Sequence, residues 1–386
     1  MSNLPIKVLV PSLPSVDQIE PYLRRIDLAR VYSNFGPLAT GFAQRLGGLT
    51  GANSVTLTSN GTSAIEIALR LRALPNRRLC VMPSFTFVAS AHAVCNVGLT
   101  PAFVDIDPVS LVLTPEIVEA TLPQLPELPA VVLVISAFGA PIDQESWARF
   151  QTRTGIPVVF DAAAAVTALS HVGDAPVCVS LHATKVLGIG EGGAILSSDP
   201  KFSERATAMT GFGFMGAERT SAIRGGNFRI SEYAAAVGLA ALDALPAKVD
   251  MLRNVALAYR TKIEATGRRA RLQEGAGDWV TMSLNIIVEP EDVQATIAKL
   301  DAQKIQWRRW WGLGCHLHPA FADCPSFGLD STNKVAPTVI GVPCHDGLSA
   351  EDIDRIVACF PIATHAPKVH ERLPAGDLIE QDVSML

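Results

Sequence analysis

The chain has 386 residues, of which 48% are hydrophobic and 18% charged, with a formal net charge of −5. That length favours a larger and a smaller folded unit over one core, and the composition excludes disorder. The slight acidic excess, without any Lys/Arg cluster, argues against nucleic acid as a partner, and no uncharged apolar run is long enough to span a membrane.

Ile19, Leu23, Ile26 and Leu28 recur at helical spacing and predict a helix over 17–29. Tyr32-Ser33-Asn34-Phe35-Gly36-Pro37 reads as a turn before a second helix over 38–49. Val55 to Thr58 is a short strand, and Ser59-Asn60-Gly61-Thr62-Ser63 leads into a helix over 64–74. Free N–H groups and the positive end of a helix dipole meet there, which suits a phosphate group. The same residues also fit a capping box, Ser63-x-x-Glu66, which needs no ligand, and the sequence leaves both readings open.

Apolar strands follow at 79–82, 102–105, 131–135 and 156–160, with a small-residue helix over 88–97 after the first of them. Runs that are apolar throughout and alternate with helices imply a mainly parallel sheet covered on both faces, with ligands at the carboxyl ends of its strands. Thr62, Phe87, Asp161 and Lys185 each lie just beyond such an end. A phosphate anchor, an aromatic ring, a carboxylate and a lysine are together what holds pyridoxal 5′-phosphate (PLP). Taken singly, Asp161 could cap a helix formed by Ala162 to Ala165, Phe87 could be ordinary core, and Lys185 could be a solvated surface charge.

Beyond a strand at 194–197, residues 233–245 form a helix that is apolar on nearly every side, and Pro246 is expected to close it. A domain boundary is placed there, giving a large domain over 1–246 and a small α+β domain over 247–386. The latter holds a helix over 252–265, a strand over 280–288, a helix over 291–302, the cluster Trp307-Arg308-Arg309-Trp310-Trp311, and a helix over 349–359. The tail from His365 is polar and expected to be weakly ordered. The seven cysteines include no Cys-x-x-Cys pair and read as thiols of a reducing, cytoplasmic compartment, with no metal site expected.

Seven motifs stand in one order: Ser33 to Pro37, Ser59 to Thr62, Pro83 to Phe87, Asp161 to Ala163, Ser180 to Gly193, Gly226 to Arg229, and His316 to Phe321. With them the chain resembles the DegT/DnrJ/StrS family of PLP-dependent sugar aminotransferases. That resemblance implies PLP-dependent transferase fold type I, aspartate aminotransferase-like, an α/β architecture with a mainly parallel central sheet. It implies that Lys185 bears the cofactor and carries the proton, that Asp161 pairs with the ring nitrogen, and that Phe87 stacks on the ring. Gly61, Thr62, Ser63 and Ser180 would hold the phosphate, with Asn227 supplied by the other subunit of a homodimer. Phe35, Trp311 and His316 fall where the family lines its substrate cleft.

The implied reaction moves an amino group from an amino acid, L-glutamate, to the 4-keto carbon of a nucleotide-linked 6-deoxysugar such as dTDP-4-keto-6-deoxyglucose. PLP alternates with pyridoxamine 5′-phosphate in the two half-reactions. Many members place Gln or His where this chain has Ala164, a departure shared by the subgroup forming dTDP-4-amino-4,6-dideoxyglucose. A 3-keto sugar or a cyclitol ketone as acceptor, and a non-catalytic PLP-fold binding protein, stay open as alternatives. A dinucleotide-dependent dehydrogenase is disfavoured, because no Gly-x-Gly-x-x-Gly follows the first strand.

Overall fold

Strands whose residues are apolar on both faces can only be stable between two layers of helices, and the chain builds that sandwich. The computed structural model describes residues 5–217 and 220–362; the polar tail from His365 lies outside them. In chain order the elements are α1 (Val16–Ala29), α2 (Pro37–Thr50), β1 (Ser54–Thr58), α3 (Gly61–Arg72), β2 (Leu79–Pro83), α4 (Val88–Asn96), β3 (Thr100–Val104), α5 (Pro115–Thr121) and β4 (Val131–Ile135). There follow α6 (Gln144–Thr154), β5 (Val158–Asp161), β6 (Val177–Ser180), β7 (Gly193–Ser197), α7 (Pro200–Thr210), the small pair β8 (Phe214–Met215) and β9 (Thr220–Ser221), and α8 (Glu232–Ala265). The remainder holds β10 (Ala270–Leu272), β11 (Asn285–Val288), α9 (Val293–Ala302), β12 (Ser326–Phe327), α10 (Asp330–Val335), β13 (Val339–Gly341) and α11 (Ala350–Ala358).

The eight-stranded sheet runs β1-β7-β6-β5-β4-β2-β3-β12. Only β7 is reversed, pairing antiparallel with β1 and β6, while the other neighbours are parallel. Every residue of β2, β4, β5, β6 and β7 is buried. A mixed, mostly parallel sheet with helices on it is the expected fold type I architecture. A second, antiparallel sheet of order β10-β11-β13 lies in the C-terminal part. Asp105, just past β3, accepts from the N–H groups of Ser331 and Thr332 at 2.7 Å each, so it caps α10 and docks it beside the large sheet.

Three local expectations are corrected. Pro246 does not close a helix: α8 runs unbroken through it from Glu232 to Ala265. A proline removes one intrahelical bond, and here the buried residues Leu252, Val255, Ala256, Tyr259 and Ile263 carry the helix past that loss. The boundary expected at residue 246 therefore falls inside a helix. Ala162 to Ala165 form turns and not a helix, so Asp161 caps nothing and ends β5 as its last residue. The strand expected over 280–288 is confined to Asn285–Val288.

Glu232 was legible only as the residue before an apolar helix, yet it is buried, and its two oxygens accept from the N–H groups of Leu38 (2.7 Å) and Ala39 (2.9 Å). It thus supplies the anion at the start of α2, whose own N-cap, Gly36, has no side chain to offer. Glu232→Ala leaves two buried donors unpaired, and we expect it to cost about 3 kcal/mol of stability, read as a lowered urea midpoint. Among the described residues no helix is long and apolar enough to cross a membrane, and no cluster of His, Cys, Asp or Glu could hold a metal ion.

Candidate active site

The reversed strand β7 organises the site. Its first residue, Gly193, pairs with Thr58 at the end of β1 on one side and with Ser180 at the end of β6 on the other. Three strand ends and the start of α3 therefore meet. The N-cap of α3 is Asn60, whose Oδ1 accepts from the Ser63 N–H at 2.8 Å. This corrects the capping-box reading: Ser63 sits inside the first turn, and Glu66 accepts from the Asn96 side-chain amide. One cap satisfies one donor, so the N–H groups of Gly61 and Thr62 at the first two helical positions have no intrahelical acceptor.

Space at that point is shaped by glycine. A Cβ at Gly61 would lie 2.9 Å from the Ser180 Cβ, and one at Gly193 would lie 2.5 Å from the Asn60 carbonyl. The absent side chains bring the Ser180 hydroxyl against the α3 N-terminus. The resulting cradle of backbone donors and a hydroxyl matches a phosphate group. Gly193→Ala meets backbone that cannot yield, so it should push α3 away from Ser180 and weaken cofactor affinity at least tenfold in equilibrium dialysis, with inorganic phosphate competing less well. Unchanged affinity would remove the cradle from cofactor binding.

Lys185 lies in the connection between β6 and β7, which is bonded across itself: Leu181 N–H to Gly192 O (2.9 Å), Ala183 N–H to Gly190 O (2.8 Å) and Lys185 N–H to His182 O (2.8 Å). Its Nζ has no hydrogen-bond partner among the described residues. Burial pulls the amine below the ordinary lysine value, and the nearby Asp161 carboxylate opposes that shift. Asp161 itself is 4% exposed. Its Oδ2 accepts from the Ser90 hydroxyl at 2.6 Å and its Oδ1 from the Ala163 N–H at 3.0 Å. Burial pushes its carboxyl above the usual range, while the Ser90 bond, the Ala163 bond and Lys185 pull the other way.

Phe87 is the N-cap residue of α4 and 54% exposed, unlike its neighbour Phe85, which is buried among Phe138 and Trp311. An exposed ring at a strand end is free to take a flat ligand on its face. One turn earlier, Ser84 meets the Nδ1 of His316 at 2.6 Å and accepts from its N–H at 3.2 Å, which brings the C-terminal segment to the same edge of the sheet. Burial holds His316 below the usual imidazole range, the Asn333 side chain opposes, and His318 adds to the lowering.

The other expected cleft residues are placed differently. Trp311 stacks on Phe138, with ring centroids 3.8 Å apart, and so belongs to a packed aromatic cluster. Asn34 and Phe35 both have left-handed backbones (φ 63° and 61°), and that turn presents a half-exposed Phe35 ring to a separate cavity of about 1530 Å³. Phe212, Phe214 and Arg229 line the same cavity, and Lys185, Asp161 and Phe87 do not. Asn227 is exposed and accepts from the Arg229 guanidinium at 2.8 Å, while the next residue, Phe228, accepts from the Ser59 N–H through its carbonyl. Ser84 and Ser90 were not singled out in the sequence. Their signal was position alone, since each lies three residues from Phe87, one on either side of it.

The residues present therefore fit PLP: unpaired helix N–H groups beside a hydroxyl, a bare ring, a buried carboxylate and an unbonded amine. A model of the DegT/DnrJ/EryC1/StrS aminotransferase family matches residues 16–361. Protein Rv3402c of Mycobacterium tuberculosis is 30% identical over 373 residues, covering 92% of this chain and 90% of that protein. The dTDP-4-amino-4,6-dideoxy-D-glucose transaminase of Shigella dysenteriae is 29% identical over 372 residues, covering 92% and 98%. The crystal structure of DesI in the presence of its TDP-sugar product is similar with a TM-score of 0.81 at 28% identity, covering 92% of both chains.

Proposed function

Because the chain belongs to the DegT/DnrJ/EryC1/StrS aminotransferase family, and so is a PLP-dependent sugar aminotransferase, we propose that it aminates the 4-keto carbon of a nucleotide-linked 6-deoxysugar, with L-glutamate as donor. The observation that carries the chemistry is the unbonded Lys185 amine within the field of a buried Asp161 carboxylate. The sugar class is supported by the Shigella relative and by the DesI structure, whose names specify dTDP-4-amino-4,6-dideoxy-D-glucose and a TDP-sugar product.

PLP, when bound, supplies an electron sink for the carbon–hydrogen bond that must break. Gly61, Thr62, Ser63 and Ser180 would hold its phosphate, Phe87 would take its ring, and Asp161 would pair with its ring nitrogen. Lys185, neutral over a wider pH range than a solvated lysine, takes the proton from the nitrogen-bearing carbon of the donor and returns it on the other side of that nitrogen. His316, held by Ser84 at the same edge, contacts the sugar. We also propose a homodimer. Half-exposed Phe35, Phe212 and Phe214 surround the large cavity, and apolar surface of this kind is normally covered. Asn227 of the second subunit would reach the phosphate from there.

Incubation with dTDP-4-keto-6-deoxyglucose and glutamate, followed by product mass and NMR, tests the reading. A 4-amino product supports it. Amination of a 3-keto sugar or a keto-inositol in its place would overturn the substrate assignment and leave the cofactor chemistry standing.

A further inference from the structure

We propose that Ser90 is a positioning residue for the transamination, fixing the orientation of Asp161 and linking it through Thr86 to the turn that seats Phe87 and His316. The inference rests on the cofactor placement above and not on which sugar is used.

Ser90 and Thr86 are 2% and 1% exposed. The Ser90 hydroxyl reaches Oδ2 of Asp161 at 2.6 Å, across 71 residues of sequence, and meets the Thr86 hydroxyl at 3.3 Å. A serine has a single hydroxyl proton, and an ionised carboxylate only accepts. That proton is therefore committed to Asp161, and the contact with Thr86 must be donated by Thr86. The result is a one-way chain, Thr86 to Ser90 to Asp161. Thr86 is tied to Ser84 by an N–H to carbonyl bond of 3.0 Å, and Ser84 is the residue that binds His316. One turn thus connects the group that meets the sugar, the ring that meets the cofactor and the carboxylate that meets the ring nitrogen.

A hydroxyl in the first turn of a helix usually returns to a nearby backbone group. This one does not, and it sits on a face where Ala91, Ala93 and Val94 are also buried, so alanine would pack equally well there. What serine adds is the bond to Asp161. The surroundings of that carboxylate offer little else. The β6–β7 connection contributes Lys185, β6 contributes the Cys178 thiol, and β5 continues into the Ala163 N–H. Burial, with Asp161 adding to it, pushes the Cys178 thiol well above its ordinary value, so it stays neutral. The only donors within bonding distance of the two carboxylate oxygens, among the described residues, are Ser90 and the Ala163 N–H.

The test uses the holoenzyme forms of Ser90→Ala, Ser90→Thr and Thr86→Val, with circular dichroism to establish that each is folded. Cofactor affinity is measured by equilibrium dialysis, and the pH titration of the bound cofactor by absorbance. Ser90→Ala should weaken cofactor binding about tenfold. It should also raise the titration midpoint by about one pH unit, because a carboxylate that holds its proton more readily supports less positive charge on the ring. The kcat should fall while KM for the sugar stays within twofold. Ser90→Thr, which keeps the hydroxyl, should restore most of each property, and Thr86→Val should shift them the same way by less. A folded Ser90→Ala with wild-type affinity and midpoint overturns the proposal, as does a Ser90→Thr as impaired as the alanine variant. If no sugar were aminated by the wild type, the substrate assignment would fall and the titration would still decide the role of Ser90.

Discussion

Lys185→Ala is expected to lower kcat by roughly 10,000-fold or more while leaving a folded protein. The amine has no hydrogen-bond partner among the described residues, so removing it strands no donor or acceptor. Its folded state instead gains. Burial lowers the amine below the value of 10.5 that it has in an unfolded chain. Between the two values the unfolded chain binds more protons than the folded one, so wild-type apoprotein grows more stable as pH rises through that window. Below the window the whole cost of keeping this half-buried amine charged is present. Lys185→Ala removes this slope: urea unfolding at pH 7 should find the variant apoprotein more stable than wild type, with the gap closing toward pH 11. Rapid-scan absorbance after adding glutamate checks the chemistry, and a wild-type half-reaction in this variant would exclude Lys185 from it.

Asp161→Asn should lower kcat by about 100- to 1,000-fold with little effect on stability. The two carboxylate oxygens accept one hydrogen bond each, from Ser90 and Ala163. An asparagine of the same shape keeps the Ala163 bond with its oxygen and donates its amide to the Ser90 oxygen once that hydroxyl turns. Shape and bonding survive while the negative charge is lost, so the deficit measures charge. Asp161→Ala would mix that deficit with stranded buried donors and cost stability as well. If Asp161→Asn turned over within fivefold of wild type, pairing with a cofactor nitrogen would be the wrong role for this residue.

How much could be read beforehand depended on whether one residue carried its own signal. Asp161 was legible because a strand apolar throughout stops at a charge. Lys185 stood out because it shares a strand-end position with Thr62, Phe87 and Asp161, and Gly61 because it lies in the turn ahead of a helix. Ser90 carried no such mark: a serine among alanines and valines becomes informative only when α4 is laid against β5. Glu232 was hidden for the same reason, since its partners, Leu38 and Ala39, lie nearly two hundred positions away. Pro246 misled because a local rule about prolines was outweighed by packing along α8. Phe35 was gathered with His316 by motif order, but order along a chain does not say where a loop ends, and its ring faces a separate cavity. Trp311 does lie beside the Ser84–His316 contact, packed on Phe85 and Phe138, an arrangement that no spacing in the sequence foretold.

The reversed strand β7 has a consequence for how this enzyme can fail. Because β6 and β7 are joined by residues 181–192 alone, Lys185, the proposed proton carrier, and two walls of the proposed anion cradle, Ser180 and Gly193, ride on one internally bonded hairpin. Little conformational freedom is left to lose when substrate arrives, which is the benefit. The corresponding weakness is correlated loss. Damage anywhere in that hairpin should degrade cofactor retention and turnover together, whereas changes confined to the His316 side chain, carried on a different limb of the chain, should weigh more on turnover than on cofactor retention.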